Sequence, residues 1–449
     1  MTTEDTENKN VIFIVLDSLR KDKLSVYDDE VDFTSNIQQF AENSRVYANV
    51  TAQAPWTLPS HASIFTGQYP WDHEATHKNT HLDTKRELLA EKFQSEGYET
   101  YAITPNAWIS KPMGTTKGFE YTENFLGLAS YDPVQNIFES LRTRFDSIDR
   151  QTRRKIAGFL DGVFNKIGSS DICKSRETVD EVKNTLQKID EDENFFLFTN
   201  LMTAHEPYEV GEPPREYLQK HGVEDVSSVP DSEREYFHGE HDKDDMIRAY
   251  DASVDYTDDL VGEILDCAEE SNLLDNTIIV LASDHGQAVG QKGFYGHQFT
   301  VMDGVIDVPL IIQGPETDNE TIDSEVELKS LYDILPNLAG IQEDSVDHEG
   351  KVKGGYERPE LFINEIPKEK RSKYDNKLRY VKNNEAKMVK KVGEDNQTRF
   401  EVKYNHDSGN TDENKLRDAL NQISEASDAS SEEVDDEEVK QRLEDLGYM

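Results

Sequence analysis

The sequence predicts an α/β fold: a mostly parallel central sheet flanked by helices, followed by a smaller C-terminal antiparallel-sheet subdomain. Two observations carry this. Short, dense apolar runs alternate with helical patterns through residue 350, the signature of strands covered on both faces. After residue 355 apolar and polar residues alternate instead, which suits strands with one wet face.

The first run, Val11-Ile12-Phe13-Ile14-Val15-Leu16, has no polar position and reads as a strand buried on both sides. Thr100–Thr104, Phe195–Leu201, Ile278–Ala282 and Pro309–Ile312 read the same way. Ala249–Glu270 places Val254, Leu260, Val261, Ile264 and Leu265 near a 3.6-residue period, so a helix is expected there, and another over Leu328–Leu338. Residues 130–175 gather Arg142, Arg144, Arg150, Arg153, Arg154 and Lys155, a helical insertion that is either a solvated face or a guide for an anionic substrate. Residues 210–245, rich in Pro, Glu and Asp, read as a long covering loop. Leu361–Ile366, Leu378–Val381, Lys387–Val392 and Thr398–Tyr404 supply the small antiparallel sheet. The expected domains are therefore 1–350, 351–405 and an acidic, partly flexible tail over 406–449, with a short helix around Val439–Leu446.

The 449 residues include 91 acidic and 48 basic ones, a formal net charge of −43. Such a surface repels nucleic acid and anionic membranes and excludes a phosphate-backbone binder. Acidity spread along the whole chain suits concentrated salt, where a Debye length of about 3 Å at 1 M quiets self-repulsion. Cys173 and Cys267 form neither a metal pair nor a disulfide framework. An acidic N-terminus without an apolar stretch, and apolar runs far short of the roughly twenty residues that span a bilayer, lead us to expect a soluble cytoplasmic protein.

Three segments carry chemistry. Asp17 follows the first strand, at the edge where open α/β sheets place their ligands, although an Asp there also serves as a helix cap. In Thr57-Leu58-Pro59-Ser60-His61, Pro59 and Ser60 can open a helix with Thr57 on the turn before it. A hydroxyl there gains from the helix dipole when it loses its proton or meets an anion. Asp284-His285-Gly286 follows a buried strand, and an adjacent Asp and His can both reach one cation; Gly286 permits a tight turn, and His297 lies on a Gly-rich loop that can fold back.

Together these resemble the sulfatase-type branch of the alkaline-phosphatase superfamily over residues 10–345. The signature C/S-x-P-S-R-x-x-x-x-T-G resembles Thr57 to Gly67, Asp-x-x-Arg resembles Asp17 to Arg20, S-D-H-G resembles Ser283 to Gly286, and H-x-P-Y resembles His205-Glu206-Pro207-Tyr208. The departures bear on chemistry. Thr57 cannot become the formylglycine of sulfatases, His61 stands for the signature Arg, Ser18 for a second Asp and His285 for an Asn. Thr104-Pro105-Asn106-Ala107 lacks the family's G-K-W-H lysine, and His297 stands where many sulfatases carry another Lys.

The resemblance implies Asp17, Asp284 and His285 as metal ligands, with Thr57 as fourth ligand and nucleophile. His205 and His297 would bind the ester or protonate the leaving group, Asn106 and His61 would meet ester oxygens, and Arg20 would orient Asp17 or contact substrate. One divalent ion is expected, manganese or zinc in preference to calcium or magnesium because of the imidazole. The expected reaction is hydrolysis or transfer of phosphate esters, diesters above all, on a small-molecule, glycan- or lipid-linked anionic substrate. Sulfate ester hydrolysis without formylglycine and a catalytically weak binding protein are the alternatives.

Overall fold

The computed structural model describes residues 8–125 except Lys78, residues 174–342 except 191–192, 209–211 and 316, and parts of 352–428. The basic stretch up to residue 173, most of Leu361–Ile366 and the expected helix at Val439–Leu446 lie outside the described residues.

The central strands are β1 (Asn10–Leu16), β2 (Arg45–Thr51), β3 (Glu99–Thr104), β4 (Tyr121–Asn124), β5 (Phe195–Leu201) and β6 (Thr277–Ala282). The hairpin β7 (Ala288–Val289) and β8 (Tyr295–Gly296) follows, then β9 (Asp307–Val308), β10 (Leu310–Gln313) and β11 (Thr321–Glu327). They form a nine-stranded sheet in the order β11-β2-β10-β6-β1-β5-β3-β4, with β9 against β2. The run β6-β1-β5-β3-β4 is wholly parallel, while β10 is antiparallel to both β6 and β2.

Strand β1 shows why the apolar runs have no polar face. Ile12, Ile14 and Leu16 enter one core layer, and Val11, Phe13 and Val15 enter the other. Each fully buried side chain of this kind contributes about 1.5–3 kcal/mol. The helices Ser175–Leu186 and Lys243–Glu270 cover the first face through Val179, Val182, Val254 and Leu260. The helices Thr57–Thr66, Leu89–Ser95 and Leu331–Leu338 cover the second through Ile64, Phe65, Phe93 and Leu335. The long helix starts six residues before Ala249 because Asp242 caps it, accepting from the backbone N–H groups of Asp244 and Asp245 at 2.9 and 3.0 Å. The segment expected as a covering loop holds two short helices, Arg215–Lys220 and Glu233–His238, anchored by buried Leu218 and Phe237.

A separate antiparallel sheet joins β12 (Val352–Tyr356), β13 (Asn376–Lys382), β14 (Ala386–Gly393) and β15 (Thr398–Tyr404) in sequence order. Inside the acidic stretch after residue 405, Glu413–Asp428 form a helix whose Leu416, Leu420 and Ile423 pack on Val381, Ala386 and Met388. The small sheet grips the segment that leads into the Thr57–Thr66 helix: Gly355 N donates to Gln53 O at 3.1 Å and Tyr380 Oη to Ala52 O. Lys382 Nζ adds a 2.9 Å contact to Asp307. Among the described residues no helix is long and apolar enough to cross a membrane.

Candidate active site and metal centre

Parallel pairing decides where the site lies. Leu16 pairs with Leu201 and Val15 with Ala282, so β1, β5 and β6 end side by side, and β3 ends on the same edge beside β5. The residues that follow those strands (Asp17, Met202–His205, Ser283–His285, Pro105–Asn106) therefore emerge together.

The Thr57–Thr66 helix points its first turn at this edge. Thr57 is its first residue rather than the turn before it, with Trp56 as extended N-cap. Gly67 ends the helix in the left-handed region at φ 67°, where a Cβ would meet the Tyr332 ring at 2.8 Å, so no larger residue fits. The buried Thr57 hydroxyl stands 3.4 Å from Asp17 Oδ2 and 3.3 Å from His285 Nε2. His285 Nε2 is also 3.3 Å from Asp284 Oδ2 and 3.8 Å from Asp17 Oδ1. Asp17, Asp284 and His285 each offer a ligand atom within 4.8 Å of the others, and all three are fully buried.

These residues fit a divalent cation. Asp284 Oδ2 is buried and accepts no hydrogen bond, although imidazole nitrogens of His285 and His61 stand 3.3 and 3.4 Å away. Burial, together with the negative charge of Asp17, pushes the Asp284 carboxyl well above the usual carboxylate range, so the fold supplies charge that a cation would balance. Burial also pushes His285 down to about 4, which keeps it a neutral donor. Its Nδ1 is fixed by Gly286 O at 3.0 Å, leaving Nε2 toward the cluster.

The backbone around the cluster is constrained. Ser18 adopts φ 61°, left-handed for a non-glycine residue, and its hydroxyl donates to Asp17 Oδ1 at 2.9 Å. Ser60 Oγ donates to Asp284 O at 2.6 Å, tying the helix to the strand β6 turn. Gly286 is needed for close approach rather than for a left-handed turn: its position lies against the backbone of Gly304, where a Cβ would collide.

The remaining sequence candidates divide. Asn106, expected to meet the ester, donates to Asp17 Oδ2 at 2.7 Å and to Asn200 Oδ1 at 3.2 Å, while its Oδ1 accepts from Trp108 N. Arg20, expected to orient Asp17, instead directs its guanidinium to Asp22 and to Gln287 O. His61 lies beneath the cluster, donating from Nδ1 to Thr57 O at 3.0 Å, with its ring near Phe65 and Phe198. Burial pushes it down to about 4. His297 stacks toward His285 at 4.4 Å between ring centroids, and His205 lies 5.1 Å from His297. Burial holds His297 well below the usual range; His205 rises despite burial because Glu206 and Asp17 face it. Asp255 lies outside the cluster, paired with Lys220 and His221.

Sequence reasoning missed Asn200, Ser60, Glu206 and Gln287. Glu206 sits inside the quoted His205–Tyr208 motif and Gln287 directly follows Gly286, so position was a signal for both; Asn200 is hidden in a strand that reads as apolar.

Comparison with known proteins decides the family. The sulfatase family model matches residues 9–341. The chain belongs to the sulfatase family. A sulfatase of Formosa agariphila is 24% identical over 377 residues, covering 76% of this chain and 71% of that protein. Iduronate 2-sulfatase of Mus musculus is 24% identical over 343 residues, 69% of this chain and 60% of that protein. The phosphonate monoester hydrolase of Agrobacterium radiobacter shares the fold with a TM-score of 0.64 and 15% identity, covering 94% of this chain and 95% of that one. The family places the chain among the metal-dependent ester hydrolases of the sulfatase and alkaline-phosphatase superfamily.

Proposed function

We propose that this sulfatase-family protein hydrolyses or transfers phosphate esters, diesters above all, with Thr57 as the nucleophile. The observation that carries the reading is the Thr57 hydroxyl at a helix N-terminus, within 3.4 Å of both Asp17 and His285, where the family's signature has Cys or Ser. A threonine cannot be oxidised to an aldehyde at Cβ, so on this reading the attacking group is the hydroxyl itself.

Asp17, Asp284 and His285 would hold one divalent ion, with manganese or zinc suited to the mixed oxygen and nitrogen donors. Such an ion would supply Lewis-acid chemistry there, favouring ionisation of the Thr57 hydroxyl and offsetting charge on the ester. This chain's own residues do the rest. Asn106 and Ser18 hold the two Asp17 oxygens in place. Thr57 Oγ1 forms the bond to phosphorus as the bond to the leaving oxygen breaks, with its hydroxyl proton lost to solvent. His205, raised by facing carboxylates, gives a proton to the departing alkoxide, and water then releases phosphate from Thr57. The substrate is a small-molecule, glycan- or lipid-linked ester met in the cytoplasm.

Family membership favours a second reading, sulfate ester hydrolysis without formylglycine. The test is paired kinetics on 4-nitrophenyl phosphate, bis(4-nitrophenyl) phosphate and 4-nitrophenyl sulfate with manganese, zinc, calcium or magnesium, repeated on Thr57→Ala. A preference for phosphate esters and a fall of about 10³-fold or more in Thr57→Ala supports the proposal. Turnover of sulfate alone favours the second reading, and an active Thr57→Ala overturns the nucleophile.

A further inference from the structure

The C-terminal sheet turns lysine side chains toward the catalytic sheet rather than toward water. Lys387 on β14 is only 5% exposed. Its ammonium meets one oxygen of the Asp303 carboxylate and donates to Val301 O at 3.0 Å. Lys403 on β15 reaches the other Asp303 oxygen from the solvent side. Burial acts to raise the Asp303 carboxyl, yet the two ammonium groups hold it below the usual carboxylate range.

Asp303 opens the one-turn helix Asp303–Ile306, and that turn lies against the loop that carries His285. Val305 O accepts from Gly286 N at 2.7 Å, and Gly286 O accepts from His285 Nδ1 at 3.0 Å. The turn has no slack on this side. A Cβ on Gly286 would strike Gly304 O, and a Cβ on Gly304 would strike the Arg20 guanidinium. A continuous path therefore runs from Lys387 through Asp303, Val305 and Gly286 to the imidazole that faces Thr57.

Adhesion does not account for Lys387. A buried ammonium gives up its hydration, and an apolar residue of similar volume holds two layers together as well or better. What the charged pair supplies instead is position. Apolar surfaces tolerate sliding, whereas an ammonium shared between Asp303 and Val301 O fixes where the turn begins. A fixed turn in turn fixes the Gly286 peptide, the group that orients the His285 ring.

We propose that Lys387 is a positioning residue for His285, acting through Asp303 and the Val305–Gly286 hydrogen bond. The C-terminal sheet then sets the geometry of the metal centre as well as covering the catalytic sheet. The inference rests on His285 as a member of that centre and is independent of which ester is cleaved and of Thr57 as nucleophile.

The test compares two buried lysines of the same interface in the full chain. Lys387→Met keeps most of the volume and removes the charge. Lys382→Met does the same where the ammonium meets Asp307, Glu325 and Thr51 rather than Asp303. The readouts are hydrogen–deuterium exchange at the Gly286 amide in chelator and calorimetric titration with zinc chloride. Lys387→Met should speed exchange at Gly286 by about 10-fold or more and weaken zinc binding by about 10-fold. Lys382→Met should lower the melting temperature and leave both readouts unchanged. Asp303→Asn should speed exchange at Gly286 as Lys387→Met does, and it decides if Lys387→Met does not fold. Exchange at Gly286 that stays at the wild-type rate in Lys387→Met and Asp303→Asn overturns the proposal. Equal losses in Lys382→Met overturn it too, because affinity then follows docking of the whole sheet. A wild type that binds no zinc refutes the metal reading separately, and exchange at Gly286 alone then decides the positioning.

Discussion

Asn106 Nδ2 donates to Asp17 Oδ2 at 2.7 Å, and the same carboxamide accepts from the backbone N–H of Trp108 at 3.0 Å. Asp17 is thus oriented by a side chain from the end of β3, two strands away, and not by Arg20 of its own loop. A buried partner of a ligating carboxylate typically controls metal affinity by 10–100-fold. Asn106→Ala should weaken binding of the ion at Asp17 by about that factor, measured by zinc titration, with the fold intact. Asn106→Asp should weaken it by repelling Asp17 outright. Unchanged affinity in both variants would mean that Asp17 is held by Ser18 alone.

How much of this was legible follows from what each strand faces. β1, β5 and β6 are buried on both sides, so their apolar runs announce them, and the proposed ligands Asp17, Asp284 and His285 directly follow β1 and β6. β2 and β11 do not stand out as strands in the sequence. Arg45–Thr51 is only half buried, and Thr321–Glu327 carries Thr, Asp, Ser and Glu because it forms the sheet edge, so its composition imitates an acidic loop. The partner of Asp17 was missed for a different reason. Asn106 is near in space only because β3 and β5 run in register to the same edge, a long-range fact that no local window carries.

The pH dependence of stability should be set partly by buried imidazoles. Burial pushes His73 down to about 3; its Nδ1 accepts from Ala75 N at 3.1 Å and its Nε2 faces Ser63 Oγ at 3.1 Å. The unfolded chain, with an ordinary histidine near 6.5, then binds the proton more readily than the folded one, so stability falls as pH drops from about 6.5 toward about 3. His61 and His285, each down to about 4, act in the same direction; Asp284, pushed up, acts in the opposite one. Melting temperature in chelator should decline on acidification over this window, and His73→Gln should flatten the decline. An unaltered slope in that variant would show that His73 does not stay neutral in the folded state.

With a formal net charge of −43, the folded chain carries strong self-repulsion at low ionic strength. Ion pairs such as Lys382 with Asp307 and Arg176 with Glu263 offset little of it. Raising salt toward 1 M shrinks the Debye length to about 3 Å, so the melting temperature should climb from dilute buffer to molar potassium chloride. A flat salt series would overturn the expectation, drawn from the charge alone, that the chain is adapted to concentrated salt.

The sharpest expectation concerns the residue at position 57 together with its neighbour one helical turn on. Thr57→Ser keeps the hydroxyl beside Asp17 and His285 and loses one methyl group, so it should retain part of the phosphate ester turnover. Thr57→Cys restores the residue that sulfatases oxidise and offers a maturation enzyme its usual side chain. His61 argues against any gain. The signature carries Arg at this position, whereas His61 is fully buried, spends Nδ1 on Thr57 O and leaves Nε2 without a hydrogen-bond partner. Burial also keeps it neutral, so it cannot supply the fixed positive charge of a guanidinium. Thr57→Cys alone should therefore lose phosphate ester turnover by about 10²-fold or more without gaining sulfate ester turnover. Thr57→Cys with His61→Arg tests the pair: its failure on sulfate as well places the specificity in the Asp17, Asp284 and His285 donors rather than in the signature. Sulfate turnover by the Cys variant alone would instead mean that only the attacking atom separates this site from a formylglycine enzyme.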